Sequence, residues 1–219
     1  MPIQPIMGSM ARILAVSDVE MSSVYSERIR ERFGGADFAV GCGDLPYFYL
    51  EYIISTLDIP LYFVHGNHDS KAEAGEGEDR SGPWGGVNLH ARVLRDEKTG
   101  LLLAGLEGVI RYNRGRFQYT QAEMWQMALP LAARIKLAEL RWRRKLDLFV
   151  SHAAPWGAGD RPDRAHVGVK AFRWLDERFQ PRAHLHGHIH LNASTDPREA
   201  AIGRTRVINV YGAQEISLD

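Results

Sequence analysis

The chain has 219 residues, 45% hydrophobic and 25% charged, a balance that fits one ordinary globular domain able to bury a sizeable core. Its 27 basic and 27 acidic side chains cancel, so global charge draws it neither to nucleic acid nor to an anionic membrane, and no apolar run reaches the roughly 18 residues that span a bilayer. The single cysteine, Cys42, excludes an internal disulfide, and the opening "MPIQPIMGSM" lacks the charged start and long apolar run of a secretion signal, so a cytoplasmic location is expected.

Residues 1–10 are expected to form a flexible tail, followed by a single domain over 11–219. The first apolar runs, "RILAVS" (12–17), "DFAVGC" (37–42) and "PLYFVH" (60–65), have strand length. Between them lie helix-like segments at 23–33, with Val24, Ile29 and Phe33, and at 46–57, with Phe48, Leu50, Ile53, Ile54 and Leu57. That alternation indicates βαβ units and a largely parallel sheet. Residues 87–106 read as two strands, "VNLHARVL" and "LLLAGL", joined as a hairpin by "DEKTG". A helical pattern follows from about 120 to 145, where Pro130 is expected to kink or split it. It closes on Arg141, Arg143, Arg144 and Lys145, cations that complement a helix C-terminus. Three further runs complete the chain: "LDLFVSH" (146–152), "AHLHGH" (183–188) and "TRVINV" (205–210), the last two joined by the polar "NASTDPREAAIG". The expectation is βαβ units in front and antiparallel additions behind. Loops 71–86 and 155–165, rich in Gly, Pro and charge, follow strands that carry chemistry and either hold specificity residues or are plain connections.

Five strand exits are followed at once by residues of metal-ligand type: Asp18 and Glu20, Asp44, Asn67 and His68, His152, and His188 and His190. In open α/β sheets the C-terminal strand ends line the ligand crevice, so residues this dispersed can converge. One such residue alone is more often a turn or cap. Five decorated exits together favour a site. In extended chain the pairs Asp18/Glu20 and His188/His190 put both side chains on one face, about 6–7 Å apart. Such pairs could bracket two metals about 3.5–4 Å apart, with the lone carboxylate of Asp44 as a bridge. Gly43, Gly66 and Gly187 each precede a candidate ligand, where the backbone must turn or make room.

The ordered set "GD" (Gly43, Asp44), "GNHD" (Gly66 to Asp69), "SH" (Ser151, His152) and "GHIH" (Gly187 to His190) resembles the calcineurin-like metallophosphoesterase family. The resemblance runs from Asp18 to His190. It implies an α/β fold, a four-layer αββα sandwich with two mixed β-sheets flanked by helices. It also implies hydrolysis of phosphoric monoesters or diesters at a binuclear metal centre with a metal-bridging hydroxide. By that resemblance Asp18, residue 20, Asp44 and His190 hold one metal, and Asp44, Asn67, His152 and His188 the other. His68 would face the substrate, stabilising phosphoryl oxygens or protonating the leaving group. Two divalent ions are implied, manganese first, with iron, zinc and magnesium as alternatives. The implied partner is a phosphorylated small molecule or nucleotide substrate, with no stable nucleic-acid binding and no membrane; homo-oligomerisation stays open.

The family usually carries Asp-x-His at the first motif, whereas this chain has Asp18-Val19-Glu20. Two divalent ions with Asp18, Asp44 and a hydroxide leave one positive charge; a bound Glu20 would cancel it, weakening the pull on an anionic substrate and the acidification of water. Carboxylate also favours Mn²⁺ or Mg²⁺ over Zn²⁺. Glu20 is therefore a ligand, or swings away, or marks a weakly held first metal. The altered motif supports an alternative, a catalytically degenerate member acting as an interaction scaffold, while His68, which has no ligand duty, favours an enzyme. Arg111 and Tyr112, in "GVIRYNRGR", are candidate substrate contacts through the guanidinium fork, or else surface residues. His184 and His186 are expected to be structural, with His186 a candidate to orient a ligand. Structural or surface roles are expected for His65, His90 and His166, and a core position for Cys42.

Overall fold

Alternate side chains of strand β1 (Ala11–Ser17) serve two cores, because successive residues of a strand point to opposite faces. Ile13 and Ala15 enter one apolar cluster; Leu14 and Val16 enter another with α1 (Arg28–Phe33) and α2 (Tyr47–Leu57). Strand β2 (Phe38–Gly41) divides likewise, Phe38 and Val40 against Ala39. The computed structural model describes residues 10–69, 80–192 and 196–219. The expected tail lies outside these, apart from residue 10, as does most of the first expected specificity loop.

Strands β3 (Leu61–Phe63) and β4 (Gly86–Asn88) continue the first sheet, and β5 (Arg92–Arg95) and β6 (Leu102–Leu106) open the second. A short parallel pair, β7 (Val109–Ile110) and β8 (Gln118–Tyr119), leads into α3 (Gln121–Trp142). Then come β9 (Leu148–Ser151), α4 (Lys170–Phe179), β10 (Ala183–His186), β11 (Glu199–Ile202), β12 (Thr205–Asn209) and β13 (Gly212–Leu218). The sheets have the orders β13-β1-β2-β3-β4 and β11-β12-β10-β9-β6-β5. Both mix parallel and antiparallel pairs. Ile13, Val40, Leu103, Val150 and Leu185 share one cluster between the sheets, while Leu102, Phe149, Leu131 and Phe172 pack the second sheet against α3 and α4. This is the expected sandwich of two mixed sheets flanked by helices. No described helix is long and apolar enough to cross a membrane.

The departures from expectation are local. The first helix starts at Arg28 rather than 23: Ser26 Oγ donates to the Ser22 carbonyl at 2.6 Å, a side-chain bond that competes with helix. "VNLHARVL" is two strands in different sheets, β4 and β5, with the change made at Ala91, whose φ is +54°. Pro130 does not divide α3; it sits on the exposed face, where water can meet the carbonyl it leaves unpaired. The "AHLHGH" and "TRVINV" strands are parallel neighbours, not antiparallel, because β11 takes the hairpin position beside β12. The last strand, β13, goes beyond the expected set; it pairs antiparallel with β1 along all seven of its residues, Gly212 to Leu218.

Candidate metal centre

The parallel strands β1, β2 and β3 of one sheet and β9 and β10 of the other bring their C-terminal ends to one edge of the sandwich. Hydrogen bonds stitch the exits together. The Asp18 amide donates to the Gly43 carbonyl at 3.2 Å, the Gly187 amide to the His152 carbonyl at 3.0 Å, and the His188 amide to the Asp18 carboxylate at 3.1 and 3.2 Å. Asp18, Asp44 and His188 all have positive φ, a strained backbone for such residues that clusters at functional sites. Gly43 has φ +91°, and a Cβ there would stand 2.5 Å from the Gly66 amide and 2.7 Å from His152 Nδ1. Only glycine lets these loops close so tightly.

Asp44, His152 and His188 each offer a ligand atom within 4.8 Å of the others. His152 is fully buried, and its Nδ1–H donates to the Cys42 carbonyl at 2.7 Å. Since a carbonyl only accepts, Nε2 turns toward the Asp44 carboxylate at 3.2 Å and has no hydrogen-bond partner. Two acceptors face to face require a cation between them, a proton or a metal. Burial opposes a charged imidazole here, but Asp44 outweighs it and pushes His152 up to about 10. Burial likewise opposes the Asp44 charge, yet His152 and the His68 amide, which donates to Oδ1 at 2.8 Å, bring it down to about 2. His188 donates from Nε2 to the Ala165 carbonyl at 2.8 Å, which leaves Nδ1 its lone pair. Burial, then the neighbouring His152, keeps that ring neutral, down to about 3.

Asn67 is also arranged as a donor to a cation. Its amide nitrogen gives a hydrogen bond to Tyr112 Oη at 3.0 Å, and its buried carbonyl Oδ1 has no partner. The Asp18 side chain is buried and lies 3.6 Å from Nε2 of the more exposed His190. The His68 ring is exposed at the rim. Glu20 is exposed, lies outside the Asp44–His152–His188 group, and makes no side-chain hydrogen bond among the described residues. Arg111 is already engaged: its guanidinium meets Glu123 at 2.9 Å and the Gln118 carbonyl at 3.1 Å, tying the β7–β8 pair to the N-terminus of α3. Tyr112 therefore reaches the site and Arg111 does not. The donor set, two orphaned buried atoms beside a carboxylate and a neutral imidazole, fits a divalent ion.

Two groups of supporting residues escape the sequence reading. Asp69 accepts from the Asp44 and Gly66 amides at 3.0 and 2.8 Å and from Leu45 at 3.1 Å, clamping two ligand loops; its place in "GNHD" is the available signal. Burial, with the nearby Asp44 charge, raises its carboxyl to about 6. A buried chain, Ser151–His184–Asp176, stands directly before His152. His184 thus has the expected structural role, and so does His65, held between Glu107 and the Phe117 ring.

Because His152 holds a proton without the ion, Mn²⁺ uptake by metal-free protein at neutral pH is expected to release about one proton per His152 site. Affinity should rise with pH until about 10. Calorimetry in buffers of different ionisation heat measures the release; none at all would contradict the arrangement.

The fold and its strand-end residues of metal-ligand type fit a phosphoesterase architecture, and the comparisons agree. Residues 11–192 match the calcineurin-like phosphoesterase family, and the chain belongs to it. TT1561 of Thermus thermophilus superposes with a TM-score of 0.57 at 15% identity, covering 96% of this chain and 99% of that one. A further crystal structure gives 0.60 at 13% identity, with 95% of both chains covered. These likenesses concern the fold alone. An uncharacterized protein of Haemophilus influenzae is 29% identical over 151 residues, 60% of this chain and 62% of that protein, so the match spans about three fifths of the relative.

Proposed function

We propose that this chain is a phosphoric ester hydrolase that works with two divalent metal ions on a phosphorylated small molecule or nucleotide. The observation that carries the reading is the pair of buried atoms without a hydrogen-bond partner, His152 Nε2 and Asn67 Oδ1, on separate strand-end loops that meet Asp44. Asp44, Asn67, His152 and His188 would hold one ion, and Asp18, Asp44 and His190 the other. When bound, the ions supply Lewis acidity and the means to acidify a water into a nucleophile. The chain's own groups do the rest. Asp44 and Asp18 set the local charge, and Tyr112 fixes the Asn67 amide through its hydroxyl. Exposed His68 is placed to hydrogen-bond a phosphoryl oxygen or give a proton to the leaving oxygen.

The test is hydrolysis of p-nitrophenyl phosphate and bis(p-nitrophenyl) phosphate with added Mn²⁺. Turnover well above an Asp44→Asn control is expected; turnover equal to it would overturn the reading. Exposed Glu20 favours a second reading, a scaffold with at most one tightly held ion. Two metal equivalents per chain in elemental analysis would count against that. On the enzyme reading, Glu20→Ala leaves activity within about tenfold, since no contact of the carboxylate is lost. Glu20→His should tighten the second equivalent of Zn²⁺ by about tenfold or more, because imidazole suits Zn²⁺ better than a solvated carboxylate does. The Mn²⁺ hydrolysis assay reads the first, and metal content after dialysis against graded Zn²⁺ reads the second.

A further inference from the structure

At the sandwich edge opposite the candidate metal centre, the N-terminal ends of the parallel strands β9, β10 and β12 and the C-terminal ends of α3 and α4 enclose a cavity of about 510 Å³. Arg144, Lys145, Arg178, Arg182 and Arg204 line it, with Asp147 the only carboxylate, five positive charges against one negative. Asp147 is buried and committed: it accepts the Leu102 amide at 2.9 Å and pairs with Arg144 and with Arg182. Cations are expected where helices end, but the two C-termini together present only about one negative charge. With Glu139 behind Lys145 also counted, roughly two positive charges remain beyond that need. The whole chain is neutral, so this excess is a local concentration, not a share of a basic surface.

Two of these cations have no carboxylate partner among the described residues, and a third is held at long range. Arg204, which lines the cavity, has no carboxylate partner among the described residues, and Arg178 lies over the Phe179 ring at 5.8 Å. Lys145 reaches Glu139 no closer than 3.5 Å and is 79% exposed. The wall is concave and about half open, and an anion seated in it is shielded from water on one side, which makes each charge count for more than on a flat surface. The volume exceeds what one inorganic phosphate needs and lies within the roughly 300–1,000 Å³ of small-molecule sites. Guanidinium forks match phosphate oxygens bidentately.

We infer that this cavity binds a small molecule bearing two or more linked phosphates, at a site separate from the phosphoesterase centre. Either a nucleoside di- or triphosphate or a free oligophosphate has that chemistry.

The experiment is isothermal titration of the full chain with inorganic tripolyphosphate and, separately, with ADP, in a chelating buffer that keeps both probes from bridging through metal. One saturable site is expected for the wild type. Arg178→Ala/Arg204→Ala should weaken it at least about tenfold, and Arg178→Gln/Arg204→Gln, which keeps the apolar stems, should do the same. Arg28→Ala/Arg32→Ala removes as much charge from exposed helix α1 on the other sheet and should change affinity less than about twofold. Tighter binding of ADP identifies a nucleotide site; equal or weaker binding identifies the phosphate chain as the ligand. No saturable binding, or equal loss in the α1 variant, overturns the inference. Because these arginines lie outside the metal centre, the result stands apart from any outcome of the hydrolysis assay.

Discussion

Asp44→Asn is expected to lower Mn²⁺-dependent phosphoester hydrolysis about 10³-fold, roughly 4 kcal/mol of barrier, and to lose most bound metal. The replacement keeps the side chain's shape and an oxygen for the His68 amide. What disappears is the negative charge 3.2 Å from His152 Nε2. A buried ion pair cut on one side usually costs about 3–5 kcal/mol of stability because a charge is left alone. Here the cost should be smaller near neutral pH, since an imidazole without Asp44 can shed its proton. The pH profile of metal-free protein gives a second readout. His152 lies above its ordinary 6.5, so its contribution is complete below 6.5 and fades as pH rises toward about 10. Asp44 lies below its ordinary 3.8, so its contribution is complete above 3.8 and fades as pH falls toward about 2. Both shifts describe one interaction, whose benefit is greatest between about pH 4 and 6.5. The melting-temperature gap between wild type and Asp44→Asn should peak in that window. Activity within tenfold of wild type, or unchanged metal content, would contradict the assignment.

The strand exits are legible because ligand-type residues, preceding glycines and two-residue spacings leave a local mark, as at Gly43-Asp44 and Gly187-His188-Ile189-His190. The passage from one sheet to the other at Ala91 leaves none, since a period-two pattern reads the same on either sheet. Nor can spacing tell whether Glu20, two residues after Asp18, turns inward. The backbone twists at Asp18, with φ +64°, so the extended-chain assumption that places both carboxylates on one face fails just where it is needed. Arg111 misleads for a related reason: "GVIRYNRGR" reveals a fork suited to phosphate but not Glu123, twelve residues on, which occupies it. Asp176 is invisible because its partners lie on other elements and no local pattern marks a helical aspartate as buried.

That aspartate carries the second large expected effect. The Ser151 hydroxyl spends its one hydrogen on the Ala153 carbonyl at 2.6 Å, so it must accept from His184 Nε2 at 2.7 Å. His184 Nε2 therefore carries a hydrogen, and Nδ1 shares a single proton with Asp176 Oδ2, 2.7 Å away. Burial raises the Asp176 carboxyl despite His184 beside it, which favours leaving that proton on the carboxyl as a neutral pair. Asp176→Ala removes the partner and strands a buried imidazole nitrogen, at a cost of about 3–5 kcal/mol if the pair is charged and about 1–3 kcal/mol if it is neutral. For a chain of this size the melting temperature should drop by about 2–12 °C if the pair is neutral and about 6–20 °C if it is charged. Asp176→Asn separates the two cases, because its amide can donate to a neutral Nδ1 as a protonated carboxyl does. It should retain most of the stability, whereas an ion pair would be lost in both variants alike. Ser151 leads directly into His152, so the alanine variant should also weaken metal binding at the Asp44–His152–His188 group, and the asparagine variant should restore it. A melting temperature within about 2 °C of wild type for Asp176→Ala would mean that the buried chain does not hold the end of β9 in place.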